Sequence, residues 1–456
     1  MTSSPTDPDA PSIIGVPAES LRPRAAPARR SRRNQADDAR TGGGAATTSA
    51  FVWAWLPGET TPVVAGRLDQ TDDVIEFVYG RSYLQRPDAV PLYLPELPLE
   101  QRRIRPLSGM DVAGCIADAT PDAWGQRVIL HKRYGTVTDQ SDPGVISRLT
   151  YLLESGSDRP GALDFQASAA EYIPRVTHAS LEELLLAADR LEAGEPFSPV
   201  LDQALLHGSS LGGARPKVLL DDTRRKMIAK FSRRSDPYPV VKAEGVAMEL
   251  ARRVGLDAAA TELTECIGHD VLLVDRFDRP GGDTRRMMVS ALTILELDER
   301  WARYATYTGL AEAVRQRFTA PAATLRELFA RIVFNICVGN TDDHTRNHSA
   351  FWDGEQLTLT PAYDICPQTR SGGEVEQAMA FRADGYRYAR LAGAVHAAPT
   401  YLLSDAAARA IVDHQLDTIR REWADAADSA RLTRAERAAL WGRQILNPYC
   451  LEPDET

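Results

Sequence analysis

The stretch FNICVGNTDDHTRNHSAFWDGEQLTLTPAYDICP, residues 334–367, decides how the chain is read. Small acidic and amide side chains crowd a loop, two β-prone runs follow, and a further acid comes after them. A catalytic loop for phosphoryl transfer needs a carboxylate to orient a hydroxyl and an amide or carboxylate on a metal one turn later. It also needs a second carboxylate that brings metal to the phosphates. Asp342, Asn347 and Asp364 occur in that order. Two other readings account for part of the same residues. Asn, Asp and Thr after a helix cap and turn a chain without any chemistry. His344 and His348, four apart, would share a helix face and hold zinc, although no general-base glutamate lies between them.

What flanks the loop weighs on this choice. Asp353-Gly354 between two β-prone runs reads as the two-residue turn of a hairpin that returns Asp364 towards the loop. Loop, hairpin, then metal-binding acid is the order of kinase C-terminal lobes, although the HRD and DFG signatures are absent. Upstream, Thr324 and Glu327 read as a capping box. Leu325, Leu328, Phe329, Ile332, Val333 and Ile336 then form one apolar helical stripe that delivers the chain to the loop.

Between 205 and 279 the pattern is that of a nucleotide-holding sheet. The loop HGSSLGGARPK is followed by strand VLL, turn DDTRR, strand MIAKF, a helix, and strand VLLVDRF. Gly212 and Gly213 let backbone N–H groups approach phosphate oxygens, and an ordinary turn would use the same pair. Lys230 sits inside an apolar strand, where a charge is costly unless it meets an anion; an edge-strand lysine that snorkels is the alternative. The helix KAEGVAMELARRVGL places Glu244 where it could pair with Lys230, and a first-turn glutamate also suits the helix dipole by itself. Asp275 to Phe277 would follow the last strand and connect to a second lobe, with backbone groups suited to an adenine edge.

The rest of the chain sets limits. At 456 residues, 43% hydrophobic and 25% charged, it holds two or three packed units of a soluble globular protein. No run approaches the length of a membrane helix and no secretory pattern follows the Arg-rich start, so a cytoplasmic protein is expected. Five scattered cysteines without a CxxC pair predict reduced thiols. A net charge of −10 argues against a surface that binds nucleic acid throughout. Residues 1–48, rich in Pro, Ser, Ala, Gly and Arg, predict a disordered tail. Residues 49–135 predict a β-rich unit, from FVWAWL, TPVVAGRL and VIEFVYG, ending in a helical stretch with Thr120 and Pro121 at a helix start. Residues 136–295 would carry the nucleotide site, and 296–456 a helical lobe. Ser180 and Glu183 predict a second capping box.

Taken together and in order, SSLGGARPK, MIAKF, the helix opening KAEG, VDRFDR, FNICVGNTDDHTRN and TPAYD resemble the HipA-type serine/threonine kinases, toxins of bacterial toxin–antitoxin pairs. DRPGALDF at 158–165 and LSGMDV…ATPDAWG resemble that family's N-terminal portion, so the likeness runs from about residue 50 to about 445. The resemblance implies an α+β, bilobal, protein-kinase-like fold with a mixed α/β N-terminal lobe and an all-α C-terminal lobe. It implies ATP and Mg²⁺ as cofactors. Asp342 would be the catalytic base with His344 near the transferred phosphate, Asn347 and Asp364 the Mg²⁺ ligands, and Lys230 the phosphate lysine. Asp275 and Phe277 would form the adenine-side hinge. Ser210, or its neighbour Ser209, would be autophosphorylated, silencing the kinase. The implied partner is a helix-turn-helix, HipB-like antitoxin through which the complex reaches operator DNA, with no membrane contact. Some members phosphorylate an aminoacyl-tRNA synthetase. A catalytically silent corepressor on the same fold is the alternative. The long N-terminal tail and the charge of Asp343 depart from the family pattern.

Overall fold

A computed structural model describes residues 48–135, 142–176, 179–193, 195, 217–221, 225–233, 236–370 and 372–453. The expected tail at 1–48 falls, all but its last residue, outside the described residues, as does the glycine loop with Ser209, Ser210, Gly212 and Gly213.

Strands β1 (Ser49–Ala54), β2 (Val63–Thr71) and β3 (Val74–Tyr79) form an antiparallel meander. Alternation places Val52, Ala54, Leu68, Ile75 and Phe77 in the core. A fourth strand, β4 (Leu163–Gln166), comes from the DRPGALDF segment and pairs with β1, giving the order β3-β2-β1-β4. Between β3 and β4 runs the helix Ala123–Tyr134. Its N-cap is Asp122, which accepts from Gly125 N at 2.8 Å, so the start lies two residues beyond the expected Thr120–Pro121 pair. A carboxylate placed three residues before a free N–H makes the better cap, and Pro121 is left just outside the helix.

The second sheet has the order β5-β6-β8-β7, from β5 (Lys217–Asp221), β6 (Lys226–Phe231), β7 (Thr261–Cys266) and β8 (His269–Asp275), all antiparallel. Val218, Ala229, Phe231 and Val271 pack with Trp124, Val128, Leu184, Leu185 and Ala188 of two helices on one face. The second of these, Leu181–Ala193, carries the expected capping box: Ser180 N donates to Glu183 Oε2 at 2.9 Å and Glu183 N to Ser180 Oγ at 3.2 Å. Because side chains alternate, Lys230 points to the opposite face, where the helix Val240–Arg253 lies. That helix comes close enough that a Cβ on Gly245 would stand 2.6 Å from Leu263 Cδ1.

Beyond residue 304 helices dominate. The helix Pro321–Val338 buries the whole expected stripe, Leu325, Leu328, Phe329, Ile332, Val333 and Ile336, each at most 2% exposed. At roughly 1.5–3 kcal/mol per buried apolar side chain, the stripe supplies on the order of 10 kcal/mol before entropy is charged against it. The capping box expected at Thr324–Glu327 does not form. Pro321 starts the helix earlier, where its missing N–H costs nothing. Thr324 therefore lies inside it, and Glu327 pairs instead with Arg331 at 2.9 Å.

A small sheet, β11-β10-β9, carries the hairpin: β9 (Met288–Ser290), β10 (Ser349–Trp352) and β11 (Leu357–Leu359). The hairpin exists, but Trp352 faces Leu357, so four residues form its turn rather than two. Asp353 Oδ1 accepts from Glu355 N at 2.8 Å and Gln356 N at 2.7 Å, closing the longer loop through its side chain. All five cysteines are free thiols. Among the described residues no helix is long and apolar enough to cross a membrane.

Candidate active site

Lys230 is 8% exposed, and its ammonium donates to Glu244 Oε1 at 2.5 Å and to Asp364 Oδ1. Three distant motifs thus meet at one nitrogen. Burial opposes the lysine's charge, but the Asp364 and Glu244 carboxylates outweigh it and raise its pKa. Burial likewise opposes ionisation of Asp364, yet Lys230 and then Lys217 hold that carboxyl well below the usual range.

Asp364 has φ +61°, a left-handed conformation that a residue other than glycine adopts only when its neighbours dictate it. They do. Ala362 N donates to Asp257 O at 2.7 Å and Ala362 O accepts from Ala259 N at 2.9 Å, while Tyr363 OH donates to Arg346 O at 2.7 Å. Tyr363 therefore ties the segment carrying Asp364 to the loop carrying Asp342.

Within the loop, Asp342 O accepts from His344 N at 3.0 Å and from Asn347 Nδ2 at 3.1 Å. The amide oxygen of Asn347 is thereby left available to a cation. Burial raises the Asp342 carboxyl above its ordinary value; His344 opposes the shift and Asp364 adds to it. A carboxylate with a raised pKa that remains open to solvent suits proton acceptance from a hydroxyl.

Asp343 does not face the site. It is 3% exposed, accepts from Asn335 Nδ2 at 2.7 Å and pairs with His348 Nε2 at 2.9 Å. His348 Nε2 also lies 3.1 Å from Tyr307 OH. The zinc reading fails on this geometry. The residues between the two histidines form a short 3₁₀ turn, Thr345–Asn347, and His348 is occupied by Asp343. Among the described residues no group of three or more His, Cys, Asp or Glu could hold a metal. An amide oxygen and a carboxylate are hard oxygen donors, which fit Mg²⁺.

Asp275 ends β8 and accepts from Arg225 Nη1 at 3.0 Å. Phe277 packs against Phe351 and Tyr363, with ring centroids 5.8 and 5.6 Å away. Around them the two DR motifs interlock: Arg276 Nη1 and Arg279 Nη2 reach Asp158 at 2.8 and 2.7 Å, and Asp278 accepts from Gly161 N at 2.8 Å. This buried network joins the first sheet's DRPGALDF segment to the VDRFDR strand end. No local pattern in the sequence pairs the two motifs. None marks Asp122 or Tyr363 either; only Lys217 carries a signal, a lysine opening an apolar strand as conspicuous as Lys230.

A mixed α/β fold with a lysine–glutamate pair, an acidic loop and a returning aspartate defines a kinase-like protein. Residues 209–423 match the profile of the HipA-like C-terminal domain and residues 60–166 that of the HipA N-terminal domain. The chain belongs to the HipA family. Among solved structures, HipA in the Shewanella oneidensis MR-1 toxin–antitoxin complex of HipA, HipB and operator DNA has the same fold, with a TM-score of 0.65 and 18% identity, over 87% of this chain and 96% of that one. A putative kinase of Sinorhizobium fredii, Y4mE, is 26% identical over 319 residues, 64% of this chain and 71% of the relative. A putative kinase of Haemophilus influenzae is 22% identical over 179 residues, 35% of this chain and 52% of the relative.

Proposed function

We propose that the chain is an ATP- and Mg²⁺-dependent protein serine/threonine kinase that acts as the growth-inhibiting toxin of a toxin–antitoxin pair. The observation that carries this reading is Lys230 held between Glu244 and Asp364, with Asp342 and Asn347 in the adjoining loop. Lys230 would neutralise phosphate oxygens, and Asp364 and Asn347 would hold the metal that bridges them. Asp342 would orient the attacking hydroxyl and accept its proton late. Asp364 retains a 39% exposed side chain, so a carboxylate oxygen is open to a cation while the other stays on Lys230. Asp275 and Phe277 would present the strand end to the adenine.

Autophosphorylation of Ser210 or Ser209 would silence the enzyme, and a HipB-like helix-turn-helix antitoxin would carry the complex to operator DNA. The protein substrate, of which an aminoacyl-tRNA synthetase is one example, is not specified by these residues.

Incubation with labelled ATP and Mg²⁺ tests the reading: label should appear on protein with the wild type and vanish with Asp342→Ala and Asp364→Ala. Mass spectrometry should then find phosphate on Ser210 or Ser209. ATP binding without any transfer would favour the silent corepressor instead.

A further inference from the structure

The segment ERWARY forms a 3₁₀ turn, Glu299–Tyr304, in which no residue is buried. Of the seven tryptophans in the chain, Trp301 is the one that is exposed, at 49%, and Tyr304 beside it is 60% exposed. Their rings lie against each other with centroids 5.6 Å apart. The Arg303 guanidinium lies 4.8 Å from the Tyr304 centroid and 5.8 Å from that of Trp301. A single exposed apolar side chain is ordinary, because a protein surface always keeps some. A tryptophan, a tyrosine and an arginine in one contact group are the residue types that dominate binding hot spots.

The turn is held firmly at both ends. Asp298 Oδ1 accepts from Arg300 N at 3.0 Å, and Arg300 Nη2 donates to Gly109 O of the N-terminal unit at 2.9 Å. After the turn, Ala305 and Tyr307 are buried, and Tyr307 N donates to Ala380 O at 2.8 Å. The rings are therefore presented on a fixed base, which lowers the ordering cost of binding. The other charges of the turn are committed, Arg300 to Asp298 at 2.6 Å and Glu299 to Arg346 at 3.2 Å. Arg303 donates to Tyr304 OH at 3.2 Å and, among the described residues, makes no ion pair.

The Glu299–Arg346 pair fixes what the platform adjoins. Arg346 lies between Asp342 and Asn347, and a cleft lined by Met110, Leu292, Leu297, Glu299 and Arg346 separates that loop from the start of the turn. At roughly 2 Å per residue of 3₁₀ rise, Trp301 and Arg303 follow within about 10 Å of Glu299. We infer that Trp301, Arg303 and Tyr304 form a docking platform for the protein substrate, taking an extended segment that places an aromatic side chain on the rings and a carboxylate on Arg303. The inference rests on the kinase reading above. The aromatic pair supplies affinity and the uncommitted guanidinium supplies the sign of the charge it selects.

The test is phosphorylation of a synthetic serine-peptide library, scanned one position at a time, by the full-length protein with labelled ATP and Mg²⁺. The wild type should favour Asp or Glu and an aromatic residue within about six residues of the serine, the ~20 Å that such a segment spans when extended. Trp301→Ala should remove the aromatic preference and lower kcat/KM on the best peptide about tenfold, through KM rather than kcat. Arg303→Glu should exchange the acidic preference for Lys or Arg at the same position, which loss of folding could not produce. ATP affinity should equal that of the wild type in both. An unchanged selectivity profile in both variants overturns the inference while the kinase reading stands, and so does a wild type that labels its own chain but no peptide. A dimer in sedimentation that Trp301→Ala dissolves would show the rings covered by a second copy, and also overturns it. A wild type that labels neither itself nor any peptide overturns the kinase reading, and the inference falls with it.

Discussion

His348 Nε2 lies 2.9 Å from Asp343 Oδ1 beneath the loop that presents Asp342 on its other side. The loop is therefore held from inside by a buried polar pair, which Asn335 extends by donating to Asp343 Oδ2 at 2.7 Å. His348→Ala leaves Asp343 with one donor fewer in a site from which water is excluded. The expected cost is about 2–3 kcal/mol of unfolding free energy. Phosphoryl transfer should fall through kcat, with nucleotide affinity near that of wild type, as steady-state kinetics beside a denaturant titration would show. An unchanged kcat in a destabilised protein would mean that the pair serves folding alone.

Removing Lys230 leaves Glu244 and Asp364 facing one another. Lys230→Met should destabilise the fold by about 3 kcal/mol, the cost of breaking a buried ion pair. Adding Glu244→Gln should regain most of that, because the stranded charge is removed with it. Transfer activity should stay lost in both. Recovery of activity in the double variant would place the phosphate contact elsewhere.

Glu96 gives the fold a pH dependence opposite to that of most carboxylates. It is 4% exposed and accepts from Gly114 N at 2.7 Å and Cys115 N at 2.9 Å, and burial raises its pKa from 4.5 to about 7. Below 4.5 it carries its proton folded or unfolded; between 4.5 and about 7 only the folded chain retains it. Its contribution is thus full at low pH and lost as pH rises through that window, by about 3 kcal/mol in all. Thermal melts from pH 4 to 8 should show Glu96→Gln gaining on the wild type across this range and running parallel above it.

Gly339 ends the helix Pro321–Val338 with φ +69°, and a Cβ there would stand 2.6 Å from the Gln444 carbonyl oxygen. Gly339→Ala therefore meets both left-handed strain and an overlap with backbone that has no rotamer to yield. Together these should cost about 3 kcal/mol in a urea titration. A loss under 1 kcal/mol would show that the Gln444 segment moves freely.

Local signals were legible where one residue type answers one local need. The helix stripe from Leu325 to Ile336, the Ser180–Glu183 box and the strands around Lys230 follow from period and capping alone. The signals failed where two candidates competed within a few residues. Pro321 took the helix start from Thr324, Asp122 took it from Thr120, and the Asp353 side chain turned a two-residue loop into four.

The sequence by itself determined the order of the motifs, the family and the identity of the residues that carry charge. Only the tertiary structure decided which charges meet. Lys230, Glu244 and Asp364 come together from places 14 and 134 residues apart. Asp343 and His348, close to Asp342 in the chain, turn inward and support the loop that carries it. Lys217 and Asp122 come within 3.8 Å without closing. A charged residue in a sequence states only that burial will be costly. The partner that offsets the cost is set by packing, over distances along the chain that no local pattern spans.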